Sequence, residues 1–326
     1  MLKSSDFLGH FRRYTSGVMF TLAYGKRLEI TRNMIVEAYP VLDHIPRCFA
    51  PWKRIGDRMH AQTNWSKHIL ALKEAKKLSN KEIVYILSAL YEAGSETTAT
   101  VLQSFVLASV LHPECIGRAQ LELDESVGND RMPTFEDMPR LPYVNAFIKE
   151  VLRWLPIAPL GIPHAPSKTD EFMGYRIPEG ATIFPNNWTL DLDDAIFRDP
   201  YAFRPERWLE DPNLPLSTFG FGRRACPGKQ MAENSLYIAI SRLIWGYNFN
   251  HAYENGLKVE LDPWDMKEGV VSPPAASSAV LSVRSSVHQQ LIELEWDSTE
   301  KDVNGILSQI ESIMESRTAA QKDSSA

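Results

Sequence analysis

The stretch from Phe219 to Gly228 constrains this chain most, because its residue types and spacing are hard to explain by folding alone. It reads Phe-Gly-Phe-Gly-Arg-Arg-Ala-Cys-Pro-Gly, and its glycines let the backbone turn tightly around one cysteine. Arg223 and Arg224 precede Cys226 and make its surroundings electropositive, which favours a thiolate over a thiol. The stretch therefore predicts a metal ligand or a nucleophile at Cys226.

The same stretch matches the pattern Phe-x-x-Gly-x-Arg-x-Cys-x-Gly at Phe219, Gly222, Arg224, Cys226 and Gly228. This pattern resembles the haem-thiolate loop of the cytochrome P450 family. The resemblance implies that Cys226 binds the haem iron, to which a thiolate supplies electron density. It implies that the other four residues contribute to haem binding, Arg224 by neutralising a haem propionate.

Two other interpretations of Cys226 remain open. A free cysteine beside a glycine-rich turn is often simply buried, as a small apolar side chain. A single cysteine can also be a protease-type nucleophile, although the sequence around Cys226 offers no histidine to pair with it.

A long helix is predicted to begin after Ser79. Ser79 and Glu82 have the spacing of a capping box, in which each side chain bonds the backbone amide of the other residue. The apolar run that follows lasts until Pro113. At 1.5 Å per residue, a helix of about 32 residues would be roughly 48 Å long.

Polar residues interrupt this helix at 93–98, which read Ala-Gly-Ser-Glu-Thr-Thr. Polar side chains within an apolar helix often mark a functional site. The segment resembles the oxygen-activation motif of the same family. The resemblance implies that Glu96 and Thr97 deliver protons to oxygen and that Gly94 lets a ligand approach the backbone. It places Ala93 at the substrate cavity. The alternative is a polar helix face whose threonines bond to the preceding turn.

A second helix is predicted over residues 141–155, and the spacing of its apolar residues predicts a buried face of Tyr143, Val144, Phe147, Ile148, Val151, Leu152 and Leu155. It carries Glu150 and Arg153 three residues apart, on one face. If this pair were exposed, it would contribute only a few tenths of a kcal/mol. The resemblance adds Arg207 as a third member of a structural triad. We expect the triad to lock the helix to the segment that precedes Cys226, so that its loss would abolish haem binding.

A segment rich in proline and glycine follows this helix and contains three further candidate residues. By resemblance, His164 donates a hydrogen bond to a haem propionate, and Leu160 and Ile162 line the substrate cavity. A lone histidine is otherwise often an ordinary loop residue. Residues 174–180 predict a small hairpin.

Other elements follow from hydrophobic spacing and from proline. Residues 5–24 and 52–78 predict helices, the second one weakly, and prolines within 39–51 indicate a connection. Pro227 is expected to take the first position of a helix that ends near Trp245.

The predicted fold is mainly α with small β-sheets, which is the cytochrome P450 fold lacking its N-terminal part. Residues 1–298 would form this partial haem-binding domain, 299–317 a C-terminal amphipathic helix, and 318–326 a disordered tail. A net charge of -6 argues against nucleic-acid binding. Three scattered cysteines argue against a disulfide framework. No apolar run reaches about 18 residues, so no transmembrane anchor is predicted.

By resemblance, the function is insertion of one oxygen atom from O2 into an organic, hydrophobic substrate of the secondary-metabolite kind. The cofactor would be haem b. Electrons would come from NADPH through a reductase that docks near Arg223 and Lys229. We expect a monomer located in the cytoplasm, whereas full-length relatives would lie at the endoplasmic reticulum membrane.

Two alternatives to this function stay open. One is a haem-thiolate isomerase or dehydratase, which the intact Glu96 and Thr97 pair disfavours. The other is a catalytically silent, truncated product. The missing N-terminal part would expose apolar surface, and on that basis we expect weak haem binding and a tendency to aggregate.

Overall fold

The computed structural model describes residues 7–24, 77–275 and 278–299. Its helices are α1 (Phe7–Tyr24), α2 (Asn80–Leu111), α3 (Pro113–Ser126), α4 (Pro142–Trp154), α5 (Asn187–Asp191), α6 (Arg207–Glu210), α7 (Lys229–Gly246) and α8 (Ser286–Ser298). Its strands are β1 (Asp170–Phe172), β2 (Tyr175–Ile177), β3 (Tyr247–His251), β4 (Tyr253–Glu254), β5 (Leu257–Lys258) and β6 (Ala279–Val283). Backbone contacts divide the chain into two compact units, one of residues 1–8 with 97–294 and the other of residues 9–96 with 295–326.

Within the smaller unit, α2 begins as the sequence predicts. The Ser79 amide donates to the Glu82 carboxylate at 2.7 Å, and the Glu82 amide donates to Ser79 Oγ at 3.3 Å. The capping box is therefore formed, and it satisfies amides that have no partner within the helix. The predicted connection at 39–51 and nearly all of the predicted helix at 52–78 lie outside the described residues.

The core of the larger unit forms where α3, α4 and α7 pack against one another. Helix α4 buries the whole apolar face that its sequence predicts, which comprises Tyr143, Val144, Phe147, Ile148, Val151 and Leu152, and Leu155 beyond its end is buried too. Phe105 of α2 contacts Phe147 and Phe249 edge to face, with ring centroids 6.0 Å and 5.3 Å apart. Aromatic and aliphatic burial therefore holds α4 in one position.

The sheets among the described residues are small, two-stranded and antiparallel. β1 pairs with β2 at the predicted hairpin, and β4 pairs with β5. β3 and β6 are distant in sequence and pair over their whole length, with Tyr247 opposite Val283. Mainly helical structure with small sheets agrees with the fold class that the sequence predicts.

One prediction about the C-terminal half needs correction. α7 begins at Lys229 and not at Pro227, because Gly228 occupies the cap position and the Lys229 amide bonds the Cys226 carbonyl at 3.3 Å. α8 was not predicted. The predicted helix at 299–317 and the predicted tail at 318–326 lie outside the described residues, except for Thr299, which follows the end of α8.

Among residues 7–24, 77–275 and 278–299, no single helix has the length and apolar character to cross a membrane, although α2 and α3, bent by 103°, pass that test as a pair.

Candidate functional site

The Cys226 loop, which we define as Phe219 to Gly228, is held in a closed turn by its own backbone. The Cys226 amide donates to the Phe219 carbonyl at 2.7 Å, and this bond joins the two sides of the loop. Gly220 and Gly222 have φ angles of 67° and 58°, in the left-handed region where a side chain would be strained. The Cys226 thiol is exposed. The glycines of the motif therefore serve a local backbone geometry that presents the sulfur outward.

A cavity of about 810 Å³ lies beside this loop. Arg223 and Arg224 line it from the loop, and residues 162–167 line it from the segment that follows α4. That segment is fixed by an antiparallel bridge in which His164 and Ile183 exchange backbone hydrogen bonds of 2.9 Å and 2.8 Å. The structure thus brings Arg224 to one cavity with His164 and Ile162, which lie about 60 residues earlier in the chain.

The tautomer of His164 affects what it can bind. Its Nδ1 lies 2.7 Å from the Ile162 carbonyl oxygen, and because a carbonyl only accepts, Nδ1 carries the hydrogen. Nε2 can then donate to a carboxylate only when the ring is doubly protonated.

These residues fit a haem. The exposed Cys226 sulfur could bind the haem iron, and the guanidinium group of Arg224 could pair with a propionate. In the described part of the chain, no group of three or more His, Cys, Asp or Glu side chains is placed to hold a metal ion. A haem iron would need one ligand from the chain, which Cys226 could supply.

The second cluster of predicted residues surrounds Glu150, whose side chain is completely buried. Arg153 donates to both of its carboxylate oxygens, at 2.7 Å and 2.9 Å, and Arg207 Nε donates to Oε1 at 3.1 Å. Trp208 Nε1 donates to Oε2 at 2.9 Å, and the Arg204 amide donates to Oε1 at 2.9 Å. The three predicted residues therefore meet in one ion-pair network, which includes a tryptophan that the sequence analysis missed.

Burial also affects the pKa of one residue of this network. Desolvation lowers the pKa of the Arg207 guanidinium, and the neighbouring Glu150 carboxylate acts in the opposite direction. Arg153 also donates to the backbone carbonyls of Asp191 and Pro200, both at 2.8 Å. These bonds tie α4 to the chain that leads towards the Cys226 loop.

The predicted proton-delivery segment begins in the smaller unit. Arg12 Nη2 of α1 donates to Glu96 Oε1 at 2.8 Å, and both side chains are about half exposed. A Cβ atom on Gly94 would collide with the side chain of Met19. The close approach at Gly94 is thus made by a methionine of α1, where the sequence analysis expected a ligand. Nothing in the sequence pattern indicated either contact.

The substrate-lining predictions differ in outcome. Ile162 lines the cavity, and 58% of its surface is exposed. Leu160 is equally exposed but is not among the lining residues of this cavity. Ala93 is exposed on α2, in the smaller unit. A role in contacting substrate remains a prediction for all three.

Comparison with known proteins places these features in a family. The sequence profile described as Cytochrome P450 matches residues 53–277. The cytochrome P450 monooxygenase aneD of Aspergillus aculeatus is 44% identical, over 94% of this chain and 68% of its own length. FrzL of Cladobotryum sp is 38% identical, over 95% and 68%, and peniB of Penicillium patulum is 36% identical, over 92% and 64%. The chain therefore spans about two thirds of the length of these curated relatives.

Solved structures agree with this assignment at the level of the fold. A zebrafish cytochrome P450 determined with abiraterone superimposes with a TM-score of 0.73 at 24% identity, covering 87% of this chain and 73% of that one. A second zebrafish structure, determined with progesterone, gives a TM-score of 0.70 at 25% identity, covering 86% and 72%.

Proposed function

This chain belongs to the cytochrome P450 family of monooxygenases, and we propose that Cys226 is the axial ligand of its haem iron. The observation that carries the proposal is the exposed thiol of a closed glycine turn, beside a cavity that Arg223 and Arg224 line. Haem, when bound, supplies the activation of O2 that a monooxygenase needs to oxidise an organic substrate. The remaining steps depend on residues of the chain itself.

The residues of the Cys226 loop have separable tasks in this proposal. The bond from the Cys226 amide to the Phe219 carbonyl fixes where the sulfur points. Arg223 and Arg224 lower the free energy of negative charge beside them, which favours binding of the haem propionates. Lys229 lies 5.6 Å from the centroid of the Phe219 ring, so the first residue of α7 also contacts the first residue of the loop.

Proton delivery is assigned to Glu96 and Thr97 of α2. Arg12 holds the Glu96 carboxylate by an ion pair at half-exposed positions, where water can exchange protons with it. Thr97 has a hydroxyl group that can both donate and accept a hydrogen bond. A carboxylate followed by a hydroxyl forms the order of groups that a proton relay from solvent requires.

The substrate and the partner follow from the same family membership. We propose a hydrophobic organic substrate, since Ile162 and Leu160 expose aliphatic side chains that such a molecule would cover. Electrons would come from an NADPH-dependent reductase with an acidic surface, which would meet the exposed basic side chains of Arg223, in the Cys226 loop, and Lys229, at the start of α7.

Haem ligation can be tested with two cysteine variants of the chain. After loading with haem, reduction and addition of carbon monoxide, the wild type should show the red-shifted Soret band of thiolate ligation, and Cys226→Ser should lose it. Cys115→Ser is the matched control, because Cys115 is buried and burial raises the pKa of its thiol to about 11. Retention of the band in Cys226→Ser, or its loss only in Cys115→Ser, would refute the assignment.

Proton delivery can be tested separately with Thr97→Ala. We expect unchanged haem content, with reducing equivalents diverted from product into hydrogen peroxide by about 10²-fold or more, the usual size of general acid–base assistance. Thr98→Ala, one residue further along α2, is the control. Unaltered coupling in Thr97→Ala would refute the role of Thr97 in proton delivery and leave it as a residue of helix packing.

A further inference from the structure

The Cys226 loop is exposed, but Ser217, two residues before it, is anchored in the interior. Residues 220–227 are all exposed, whereas only 2% of the surface of Ser217 and 1% of that of Asp191 are accessible. Ser217 Oγ donates to Asp191 Oδ2 at 2.6 Å, and the Ser217 amide donates to Oδ1 at 3.1 Å. Both oxygens of one buried carboxylate thus bind a single residue of the chain that enters the loop.

Backbone bonds continue from this anchor to the proposed haem ligand. The Gly220 amide donates to the Ser217 carbonyl at 2.8 Å, which turns the chain directly after the anchored residue. The Cys226 amide then donates to the carbonyl of Phe219 at 2.7 Å. Fixing Ser217 therefore fixes one side of the turn against which Cys226 is held.

Asp191 is itself fixed from the opposite direction. It is the last residue of α5, and its backbone carbonyl accepts a hydrogen bond from Arg153 Nη1 at 2.8 Å. Arg153 belongs to the Glu150 network. Asp191 therefore connects the two regions. Its backbone carbonyl binds Arg153 of the Glu150 network, and its carboxylate binds Ser217 before the Cys226 loop.

We propose that Asp191 is a positioning residue for the Cys226 loop, which it holds through the two hydrogen bonds to Ser217. A purely structural carboxylate could be satisfied by any buried donors, but here both bonds act on one residue at the entrance to the loop. Buried hydrogen-bonded groups of this kind specify a single geometry, since an unpaired donor would be costly there. The catalytic meaning of the anchor rests on the proposed haem ligation, while its effect on the loop does not.

The test measures amide hydrogen exchange of Gly220 and Cys226 in the chain without haem. Asp191→Ala removes both acceptors, and we expect exchange at these two amides to accelerate about tenfold or more relative to the amide of Val151 in α4. Asp191→Asn can keep both contacts, because its amide oxygen accepts and its NH2 group donates, so its relative exchange should stay within about threefold of the wild type. If Asp191→Asn behaves like the wild type, the hydrogen bonds of Asp191 and not its charge hold the loop.

Asp137→Ala is the matched control. Asp137 is also buried, but it binds Arg131, at 2.7 Å, and Arg140, away from the loop. This variant should leave the ratio of loop exchange to α4 exchange unchanged. If Asp191→Ala does not fold, Ser217→Ala removes only the hydroxyl and should still accelerate the two loop amides by about threefold or more.

A second measurement connects the anchor with haem. After haem loading, Asp191→Ala should convert much of the red-shifted carbon monoxide band to the unshifted form, and Asp191→Asn should not. If Asp191→Ala and Ser217→Ala change loop and α4 exchange by equal factors, the positioning role is overturned. If instead the wild type shows no thiolate band, haem ligation by Cys226 fails, and the exchange result still decides the anchor.

Discussion

The Glu150 network and the Cys226 loop are two of the regions that the sequence singled out, one as structural and the other as haem-binding, and they are built in opposite ways. Glu150 and Arg153 have no accessible side-chain surface, and several chain segments converge on them. The Cys226 loop is exposed along almost its whole length and is held mainly by its own backbone. The buried region determines where α4, α5 and α6 lie, while the exposed region presents the group that does the chemistry.

The difference shows that a strong sequence motif need not be a strong structural element. The Cys226 loop can be changed at its side chains with little loss of buried contact, because few of those side chains are buried. Changing Glu150 leaves buried guanidinium groups without a counter-charge, which is among the most costly defects in a folded protein. Stability and haem ligation should therefore respond to different substitutions.

The largest effect is expected from Glu150→Gln. It should lower the free energy of unfolding by about 3–5 kcal/mol, because Arg153 and Arg207 would remain charged and buried without their partner. Urea unfolding followed by circular dichroism measures this loss. Glu210→Gln is the control, since Glu210 pairs with Arg204 at the surface, where such a pair contributes about 0–1 kcal/mol. Equal losses in the two variants would contradict the distinction between the regions.

A smaller effect concerns pH and the residue that joins the two regions. Burial raises the pKa of Asp191 from 3.8 to about 6, so its ionisation opposes folding. The favourable contribution of Asp191 to the free energy of unfolding is complete below about pH 4, and it is lost as the pH rises through 6. Asp191→Asn does not ionise. Its stability relative to the wild type should therefore rise by about 2–3 kcal/mol between pH 4 and pH 7.

Thermal or urea unfolding of both proteins at several pH values measures this change. Arg153 is the charged group whose field acts on Asp191, and it favours the carboxylate. Asp194→Asn, at an exposed position three residues away, is the control. A difference between Asp191→Asn and the wild type that does not vary with pH would contradict the raised pKa.

Arg224→Ala should separate affinity from stability. We expect haem to bind about fivefold to thirtyfold more weakly, corresponding to loss of one charge-assisted contact of about 1–2 kcal/mol. The free energy of unfolding without haem should change by less than about 0.5 kcal/mol, since the side chain is exposed. Haem titration and urea unfolding give the two values, with Arg176→Ala on β2 as an exposed control. A lower free energy of unfolding with unchanged haem affinity would contradict the proposal that Arg224 contributes to haem binding and not to the stability of the fold.

The smallest effect on stability is expected from Cys226→Ser itself. Its side chain is exposed, so substitution should change the free energy of unfolding by less than about 0.5 kcal/mol, although it removes the thiolate band. Urea unfolding of the two proteins without haem tests this directly. A loss above about 2 kcal/mol would mean that the Cys226 loop supports the fold in its own right.

Sequence reasoning predicted the elements whose signals are local. The capping box at Ser79 and Glu82, the buried face of α4 and the glycine turn before Cys226 depend on residues a few positions apart, so their spacing can be read directly. The start of α7 was two residues wrong, because Pro227 and Gly228 both suit a helix entrance and only the backbone geometry distinguishes them. Arg207 was placed beside Glu150 by family resemblance and not by any pattern within the chain.

The sequence by itself thus determined the family, the mainly helical class and the residue expected to bind iron, since each depends on side-chain chemistry within a short segment. Only the tertiary structure decided that His164 and Arg224 share a cavity, and that Asp191 holds Ser217 from 26 positions away. It also placed Trp208 on Glu150, 58 positions apart in the chain. Such contacts depend on the path of the backbone between the partners, and side-chain spacing along a sequence carries no information about that path.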